Sequence, residues 1–261
     1  VPQKRTGAMT NKSTFAWPER TRGAVSITYD DALPCHYEYV VPAWEAYALH
    51  VTCYTNINAL MNDPDVWRDV AVKGHELGNH SIFHPCRKEK KKDSWIADEY
   101  NLCTYTARRW SDEMRIANTI LESLDGRKNR SYGNTCCNTE IGQGDTSQSL
   151  EPLIAELFVA GRGPCNHQVV DVAKINFNAL GHYSGDQRTF DQIQHEIDSA
   201  IASGGWIIYM IHGVGEGTHG LYMDPVVHKT LVSYLGDRQD SIWTAPVATV
   251  AMYLRDRFEV N

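Results

Sequence analysis

Two histidines spaced four residues apart are the first candidates for chemistry in this chain. They are His80 and His84, in the run Gly74-His-Glu-Leu-Gly-Asn-His-Ser-Ile-Phe-His84. Upstream, an apolar segment ends in two adjacent acids, Asp30 and Asp31. Two imidazoles and one carboxylate suit a divalent transition metal and leave an open position for water or substrate. The other acid of the pair would then be free to act as a base on that water.

A third histidine, His212, follows the most apolar segment of the chain, residues 206–211. Like Asp30 and His80, it stands at the carboxyl end of a predicted strand. The carboxyl ends of parallel strands meet on one face of an α/β barrel, and active sites form on that face. The pattern therefore predicts that Asp30, Asp31, His80 and His212 share one site.

Segments typical of strands alternate with segments typical of helices from one end of the chain to the other. The predicted strands are residues 24–29, 51–57, 76–79, a short one around 132, 206–211 and 241–244. The predicted helices are residues 40–49, 63–73, 98–124, 150–160, 190–203, 225–235 and 247–258. This order predicts a parallel sheet with crossover helices. No Gly-x-Gly-x-x-Gly follows a predicted strand, so a single barrel-like domain is favoured over a dinucleotide-binding sheet.

The composition excludes some classes of partner. A length of 261 residues allows one large domain or two small ones. A net charge of −7 implies no dominant basic surface and argues against nucleic acid. The one basic run, Arg87–Lys92, is better interpreted as a solvated loop. No segment approaches the roughly 18 apolar residues that span a bilayer. The oligomeric state is left open.

Seven cysteines predict an oxidising environment with one to three disulfides, and the odd number leaves at least one thiol. None belongs to a Cys-x-x-Cys pair, which disfavours a structural zinc knuckle. The adjacent Cys136 and Cys137 could bridge each other only with strain, so each is expected to pair elsewhere or stay free. The first residues, Val1-Pro-Gln-Lys4, have no initiator Met and no signal-peptide core, which fits the processed terminus of a secreted or periplasmic protein.

The residues quoted so far resemble the motifs of the polysaccharide deacetylases, the NodB-homology group also called carbohydrate esterase family 4. The first motif of that family appears as Thr28-Tyr-Asp-Asp31, the second as His80-Ser-Ile-Phe-His84, and the last as the strand end Tyr209-Met-Ile-His212. Their order, spacing and strand context agree over roughly residues 24–254. The combination is specific, although each motif alone would be weak.

The resemblance implies an α/β fold, a distorted (β/α) barrel of seven or eight parallel strands in one domain. That domain would cover residues 23–261 and follow an N-terminal extension of residues 1–22. It also implies a hydrolase that removes acetyl groups, N-linked or O-linked, from a polysaccharide or oligosaccharide. The nucleophile would be a metal-bound water.

The resemblance further assigns roles to the residues. Asp31, His80 and His84 would bind one divalent metal, most commonly Zn²⁺, with Co²⁺ or another divalent ion as alternatives. Asp30 would be the base that takes a proton from the water, and His212 the acid that protonates the leaving group.

Two motifs of the family depart from its pattern here. The third usually reads Arg-Pro-Pro-Tyr-Gly, whereas this chain has Asn129-Arg-Ser-Tyr-Gly-Asn134. Both prolines are missing and the arginine is one place nearer the tyrosine. Arg130 and Arg162 are therefore both candidates for the arginine that holds Asp30. The fourth motif has no convincing counterpart, and Asp171 is the nearest acid.

Five further residues are candidates for contact with the substrate or the oxyanion, namely Tyr132, Gly133, Arg162, His219 and Trp243. A backbone N–H near Tyr132 and Gly133 would help to hold the oxyanion. His219 lies in a glycine-rich loop after the last motif, and Trp243 directly follows a strand, where it could stack on a sugar ring. Most of the other tryptophans are interpreted as core residues.

Two other functions stay open. A non-catalytic carbohydrate-binding relative would be marked by loss of the base or of a metal ligand, and none of these residues is lost. A metal-dependent amidohydrolase that acts on a small non-sugar amide stays open because the third motif departs from the family pattern.

Overall fold

Eight parallel strands form the main sheet in the computed structural model, which describes residues 16–88 and 93–258. Numbered in chain order, the strands are β1 Ala24–Asp30, β2 Thr52–Thr55, β3 Glu76–Asn79, β4 Ser131–Gly133, β5 Glu140–Ile141, β6 Gln148–Ser149, β7 Ala160–Arg162, β8 Tyr183–Ser184, β9 Trp206–Ile211, β10 Gly213–Val214, β11 Tyr222–Met223 and β12 Trp243–Thr244. The pairs β5–β6 and β10–β11 form two small separate sheets.

The helices lie mostly between these strands, as expected for crossover connections. They are α1 Val41–Glu45, α2 Ile57–Leu60, α3 Pro64–Val72, α4 Ala107–Asp125, α5 Glu151–Leu157, α6 Phe190–Ala202, α7 Pro225–Gly236 and α8 Val247–Phe258. Among the described residues, no helix is long and apolar enough to cross a membrane.

The main sheet has the order β7-β4-β3-β2-β1-β9-β8. Strand β1 is its centre: β9 pairs with nearly its whole length, β12 with its start and β2 with its end. An isolated parallel bridge between Arg162 and Leu180 brings the segment before β8 against the opposite edge strand, β7. The sheet thus forms a half-barrel with its edges joined at one point. The predicted distorted barrel of seven or eight parallel strands in an α/β fold is confirmed.

Alternation along β1 separates an apolar face from a polar one. Val25, Ile27 and Tyr29 enter the large apolar cluster that packs the sheet against the helices. The residues between them point the other way, and Ser26 and Thr28 donate to carbonyl oxygens of Ala245 and Tyr209 at 2.7 Å. Since all seven residues of β1 are buried, both faces are covered, as in parallel sheets generally.

The inner face of the sheet is held by hydrogen bonds around the buried carboxylate of Glu76. It accepts from the Thr52 hydroxyl at 2.7 Å, from the backbone N–H and hydroxyl of Ser131 at 2.8 and 2.7 Å, and from the N–H of Ala248 at 3.0 Å. A buried carboxylate needs such partners to replace the hydrogen bonds that it made with water. This one ties β2, β3, β4 and α8 together.

Three predicted helices are clearly shorter in the structure. The helix predicted over 40–49 is an α-helix only over Val41–Glu45. The helix predicted over 98–124 begins only at Ala107, because the Thr106 side chain caps it by accepting from the N–H of Arg109. Two single turns of 3-10 helix precede it. The helix predicted over 150–160 ends at Leu157, and the residues after it form β7, a strand that the sequence pattern misses.

Most of the predicted N-terminal extension, residues 1–15, lies outside the described residues. Its last part packs on the barrel through Trp17, which donates its indole N–H to the carbonyl of Gly204 at 3.0 Å. The Trp17 ring also packs against Tyr253 of α8 and against Trp243.

Candidate active site

Parallel register brings the predicted site residues to one end of the sheet. Asp30 ends β1 opposite Tyr54 of β2, and Thr55 of β2 is opposite Asn79, which directly precedes His80. On the other side, Tyr29 pairs with Ile211, which directly precedes His212. Three side chains that are far apart in the sequence therefore stand at the same level.

Asp31, His80 and His84 form a compact group of possible metal ligands. One carboxylate oxygen of Asp31 lies 3.6 Å from Nε2 of His80 and 3.3 Å from Nε2 of His84. The three ligand atoms all lie within 4.8 Å of one another. This is the donor set that the sequence predicted, and its separations suit three ligands around one ion rather than hydrogen bonds among themselves.

His80 has the tautomer that a metal ligand needs. Its Nδ1 lies 2.7 Å from the carbonyl oxygen of Gly133, which can only accept, so Nδ1 carries the proton. Nε2 is then left with a free lone pair, and no described residue makes a hydrogen bond to this buried atom. Burial lowers the pKa of His80 to about 4, which keeps the ring neutral. A divalent ion would satisfy the unpaired nitrogen.

Three residues of this site adopt a backbone conformation that side chains disfavour. Asp31, Ser81 and His84 have φ angles of 79°, 68° and 53°. Local hydrogen bonds hold them there: the N–H of Asp31 donates to the carbonyl of Tyr54 at 3.1 Å, and that of His84 to the Ser81 hydroxyl at 2.8 Å. Such strain costs about 1–3 kcal/mol per residue and concentrates at functional sites.

Asp30 is buried and paired with Arg162. The guanidinium donates to both carboxylate oxygens, at 2.7 and 2.5 Å, and also to the hydroxyl of Thr28 at 2.6 Å. Burial alone would raise the pKa of Asp30, but the charge of Arg162 outweighs burial and holds it well below the usual range. Asp30 is therefore an ionised, oriented carboxylate beside the group of ligands.

Of the two candidate arginines, Arg162 is the one that contacts Asp30. Its side chain is completely buried, so its predicted contact with substrate or oxyanion is wrong. Arg130 lies elsewhere in the interior, where it pairs with Asp125 at 3.2 Å and donates to the carbonyl of Leu77 at 2.7 Å. Arg130, the arginine of the third motif, therefore pairs with Asp125. Arg162, which comes from β7, is the arginine that lies beside Asp30.

Asp186, which the sequence analysis missed, holds His212. Its carboxylate accepts from the backbone N–H of His212 at 3.0 Å and from ring Nδ1 at 2.7 Å. Burial lowers the pKa of His212, but this hydrogen bond and the charges of Asp30 and Asp31 outweigh burial and raise it to about 9. The imidazolium form is therefore favoured at neutral pH, with Nε2 left free to donate a proton.

Asp171, the acid nearest to a counterpart of the fourth motif in the sequence, has another role. It is exposed, and its carboxylate accepts from the N–H of Ala173 in a local turn. A signal for Asp186 existed, because this acid lies two residues beyond the end of a strand. That strand, Tyr183–Ser184, has only two residues and no apolar run to reveal it.

A second histidine fixes the backbone of His212. His36 is fully buried, and its Nδ1 accepts from the N–H of Leu33 at 3.2 Å, so its Nε2 carries the proton. That N–H donates to the carbonyl of His212 at 2.8 Å. Burial lowers the pKa of His36 to about 4 and keeps this donor neutral. His36 and Asp186 together hold both backbone polar groups of His212.

His219 lies where the sequence predicted, at the site. Its ring stacks on that of His212, with centroids 4.9 Å apart and an interplanar angle of 9°. Its Nε2 lies 3.9 Å from a carboxylate oxygen of Asp31. The partly exposed His219 side chain thus covers His212 and Asp31 on the cavity side.

The candidate metal ligands, Asp30, His212 and His219 line one cavity of about 720 Å³. Besides Asp30, Asp31 and the histidines 80, 84, 212 and 219, its walls include Asn56, Ala59, Trp95, Asn134, Cys136, Cys137, Met210 and Leu221. The volume falls within the range of small-molecule and cofactor sites.

The side chains of two other candidates, Tyr132 and Trp243, lie away from the cavity, while the oxyanion contact of a backbone N–H near Tyr132 and Gly133 stays a prediction. The Tyr132 ring is buried against Trp110 and Phe158, in an apolar cluster behind the site. Trp243 pairs with the start of β1, at the end of the barrel opposite Asp30, and packs against Trp17. Gly133 is close to the site, but through its carbonyl, which orients His80.

A disulfide between Cys86 and Cys136 lies beside the ligand group. It joins the loop after His84 to the turn after β4, and Sγ of Cys86 lies 3.6 Å from Nδ1 of His84. The other five cysteines, including Cys137, are free. The expectation that Cys136 and Cys137 do not bridge each other is confirmed, as is the minimum of one disulfide.

Comparisons with known proteins agree with this fold. A family model described as "Polysaccharide deacetylase" matches residues 18–133. The peptidoglycan deacetylase PdaC from Bacillus subtilis has the same fold, with 15% identity, a TM-score of 0.55, and coverage of 92% of this chain and 94% of that one. A family 4 acetyl xylan esterase from Clostridium thermocellum, in complex with a cobalt ion, is 12% identical with a TM-score of 0.55. The match covers 89% of this chain and 92% of that one.

A curated relative of known activity, a gellan lyase from Bacillus sp, is 22% identical over 266 residues. The match covers 92% of this chain but only 10% of that protein. This chain therefore spans about a tenth of the length of that relative.

Proposed function

Residues 18–133 match the polysaccharide deacetylase family model, and from this similarity we propose that the protein is a metal-dependent hydrolase that removes acetyl groups from a polysaccharide or its oligosaccharides. The observation that carries the proposal is the buried, unpaired Nε2 of His80, which faces Asp31 and His84. An ionised carboxylate and a protonated imidazole stand beside it in the same cavity.

Asp31, His80 and His84 would hold one divalent ion. Two imidazole nitrogens with one carboxylate suit Zn²⁺, and Co²⁺ also suits them. When bound, such an ion lowers the pKa of a water molecule and polarises the acetyl carbonyl group. The cavity side of the ligand group leaves room for both water and substrate.

Asp30 would accept the proton of the attacking water. Arg162 keeps its carboxylate ionised and fixes its orientation, so no rearrangement is needed at the moment of reaction. Both carboxylate oxygens keep a lone pair beyond those used by Arg162.

His212 would protonate the leaving group as the bond to the acetyl carbon breaks. Asp186 holds Nδ1, so the proton on Nε2 is the one available for donation. This proton matters more for an amine, which must be protonated to leave, than for a sugar alkoxide. The leaving group, N-linked or O-linked, is the main property of the substrate to be determined.

The disulfide beside the site supports the further proposal that the protein works in an oxidising compartment, secreted or periplasmic.

Acetate release from acetylated xylan and from chitin oligomers tests the proposed function. The Zn²⁺-loaded protein is incubated with each substrate, and Asp30→Asn serves as the matched control. We expect release from at least one of the two carbohydrates by the wild-type protein and almost none by the variant. Turnover of a small non-sugar amide with no release from either carbohydrate would instead favour the amidohydrolase. No release from any substrate would contradict catalysis altogether.

A further inference from the structure

One tryptophan differs from the other six in its surroundings. Trp17, Trp44, Trp67, Trp110 and Trp206 are buried, and Trp243 packs between aromatic rings. Trp95, in contrast, exposes 65% of its surface. Among the residues that the structure describes, none stacks on its ring or accepts a hydrogen bond from its indole N–H.

The position of Trp95 relates it to the candidate active site. It lies in a turn closed by a hydrogen bond from the N–H of Ile96 to the carbonyl of Asp93, and the buried Ile96 side chain anchors that turn. Trp95 is also part of the wall of the cavity that holds Asp30 and His212. The exposed Leu221 belongs to the same wall. A large apolar face is thus anchored by its neighbours and left open to the cavity.

Chemistry restricts what such a face would bind. An exposed indole loses water-contacting apolar area when a flat, partly apolar ring covers it, and its N–H can then donate to a hydroxyl. A pyranose ring offers both features, a face of C–H groups and a rim of hydroxyls. An acetyl group alone is too small to use this surface, because it has to reach the polar end of the cavity at His80.

We propose that Trp95 is the stacking platform for a sugar ring next to the one that carries the acetyl group. The inference rests on the proposed deacetylase function and makes it more specific. The preferred substrate is then an oligosaccharide or polysaccharide, bound over at least two rings, rather than a monosaccharide or a small amide. Trp95 determines specificity and takes no part in the bond-breaking step.

The test compares an acetylated hexasaccharide with its monosaccharide unit. Partially acetylated xylohexaose and the N-acetylglucosamine hexamer are both used. In Trp95→Ala we expect KM for the hexasaccharide to rise roughly tenfold through loss of the stacked face. KM for the monosaccharide should change much less, since that ligand does not reach Trp95. Trp95→Tyr, which retains an aromatic face, should recover most of the difference.

Val72→Ala is the control, because Val72 is 79% exposed at the end of α3 and is not part of the cavity wall. Equal preference for the hexasaccharide in wild-type and Trp95→Ala proteins would overturn the proposal while leaving the deacetylase function intact. Binding of the same hexasaccharides, measured by calorimetry, tests the platform separately from catalysis. Binding that depends on Trp95 without acetate release would support the platform and contradict the catalytic function. No binding by the wild-type protein would contradict the platform.

Discussion

Neighbouring acids at the end of β1 have opposite environments, and this difference separates their roles. Asp30 is buried and bonded to Arg162 through both oxygens. Asp31 is partly exposed and faces the nitrogens of His80 and His84. Asp30 also lies near His80, with Oδ2 at 3.7 Å from Nε2, but both of its oxygens are bonded to Arg162. Asp31 faces the nitrogens of both histidines and is therefore better placed to bind an ion.

Substituting each acid by its amide should separate base from ligand. Asp30→Asn should keep about one ion per chain but lose roughly 10²- to 10⁴-fold in turnover, because an amide does not take the proton of water. Asp31→Asn should lose the ion as well as the activity. Metal content by elemental analysis and the rate of acetate release check both. Loss of the ion from Asp30→Asn alone would mean that the two roles are exchanged.

The pair Asp186 and His212 makes a prediction about pH. With Asp186 present, the pKa of His212 is raised to about 9, so the ring stays protonated up to that pH. In Asp186→Asn the burial of the ring would dominate and lower this pKa, so activity should decline at a lower pH on the alkaline side. We expect the alkaline limb of kcat/KM to move down by about one to three units.

Asp171→Asn is the control for this experiment, since Asp171 is exposed and bonds only locally. Its pH profile should match that of the wild-type protein. An unshifted alkaline limb in Asp186→Asn would show that His212 is not the group that titrates there.

At the residue scale, the sequence predicts the residues whose motifs are intact. Asp30, Asp31 and His212 lie at the ends of two strands with a clear apolar pattern, and His80 and His84 belong to an intact motif after the short strand β3. The residues that orient these side chains and shift their pKa values are not predicted by an intact motif. Arg162 ends a strand of three residues, Asp186 lies just after a strand of two, and Trp95 lies in an irregular turn, so no periodicity marks them.

At the scale of elements, the Asp30–Arg162 pair joins the central strand to an edge strand. Arg162 ends β7, and its guanidinium crosses the interior of the half-barrel to reach Thr28 and Asp30 of β1. The carbonyl of the same residue accepts from the N–H of Asn134 after β4 at 3.1 Å. The buried side chain of Arg162 therefore links Asp30, the proposed base, to the edge strand β7 across the half-barrel.

Removing one partner of this buried pair should destabilise the fold strongly. Arg162→Met leaves the Asp30 charge without a counter-ion, which should cost about 3–5 kcal/mol in the free energy of unfolding. Combining Arg162→Met with Asp30→Asn should recover part of this loss, because no unpaired charge remains. Urea denaturation with a chelator present measures both without a contribution from bound metal.

An exposed ion pair supplies the comparison. Arg115 and Glu156 join α4 to α5 at the surface, and Arg115→Met should cost no more than about 1 kcal/mol. Similar losses for Arg115→Met and Arg162→Met would contradict the importance assigned to the buried pair.

Prediction of the elements from sequence succeeds where the pattern is long or strongly apolar. Strand β9 and helix α8 have the predicted bounds, and β1 extends one residue further. The helix predicted from residue 98 fails at its start, since the Thr106 cap outweighs apolar spacing that continues upstream. Short strands such as β7 form through pairing with distant neighbours, which a local pattern does not contain.

At the scale of the whole molecule, one disulfide closes a loop of 50 residues between Cys86 and Cys136. The enclosed segment includes α4 and the strand β4 that orients His80. Restricting the unfolded chain in this way is worth about 4 kcal/mol in the loop-entropy model. The same bond ties the loop of His84 to the turn after β4.

The double variant Cys86→Ser, Cys136→Ser should therefore lose stability and metal affinity together. We expect a loss of about 2–4 kcal/mol in the free energy of unfolding. Metal binding should weaken because His84 is no longer held beside Asp31. Cys165→Ser, which alters a free and partly exposed cysteine, should change neither property. A double variant with the stability and metal affinity of the wild-type protein would rule out this role.

Whether acetate release depends on an ion held by Asp31, His80 and His84 decides between a metal-dependent deacetylase and any other interpretation of this site. The measurement is the rate of acetate release together with the metal content of one preparation, before chelation, after chelation, and after Zn²⁺ or Co²⁺ is restored. We expect about one ion per chain, loss of activity with the ion, and recovery with it. His80→Ala should bind no ion and release no acetate under any of these conditions. Full activity in the chelated protein or in His80→Ala would contradict the proposed mechanism.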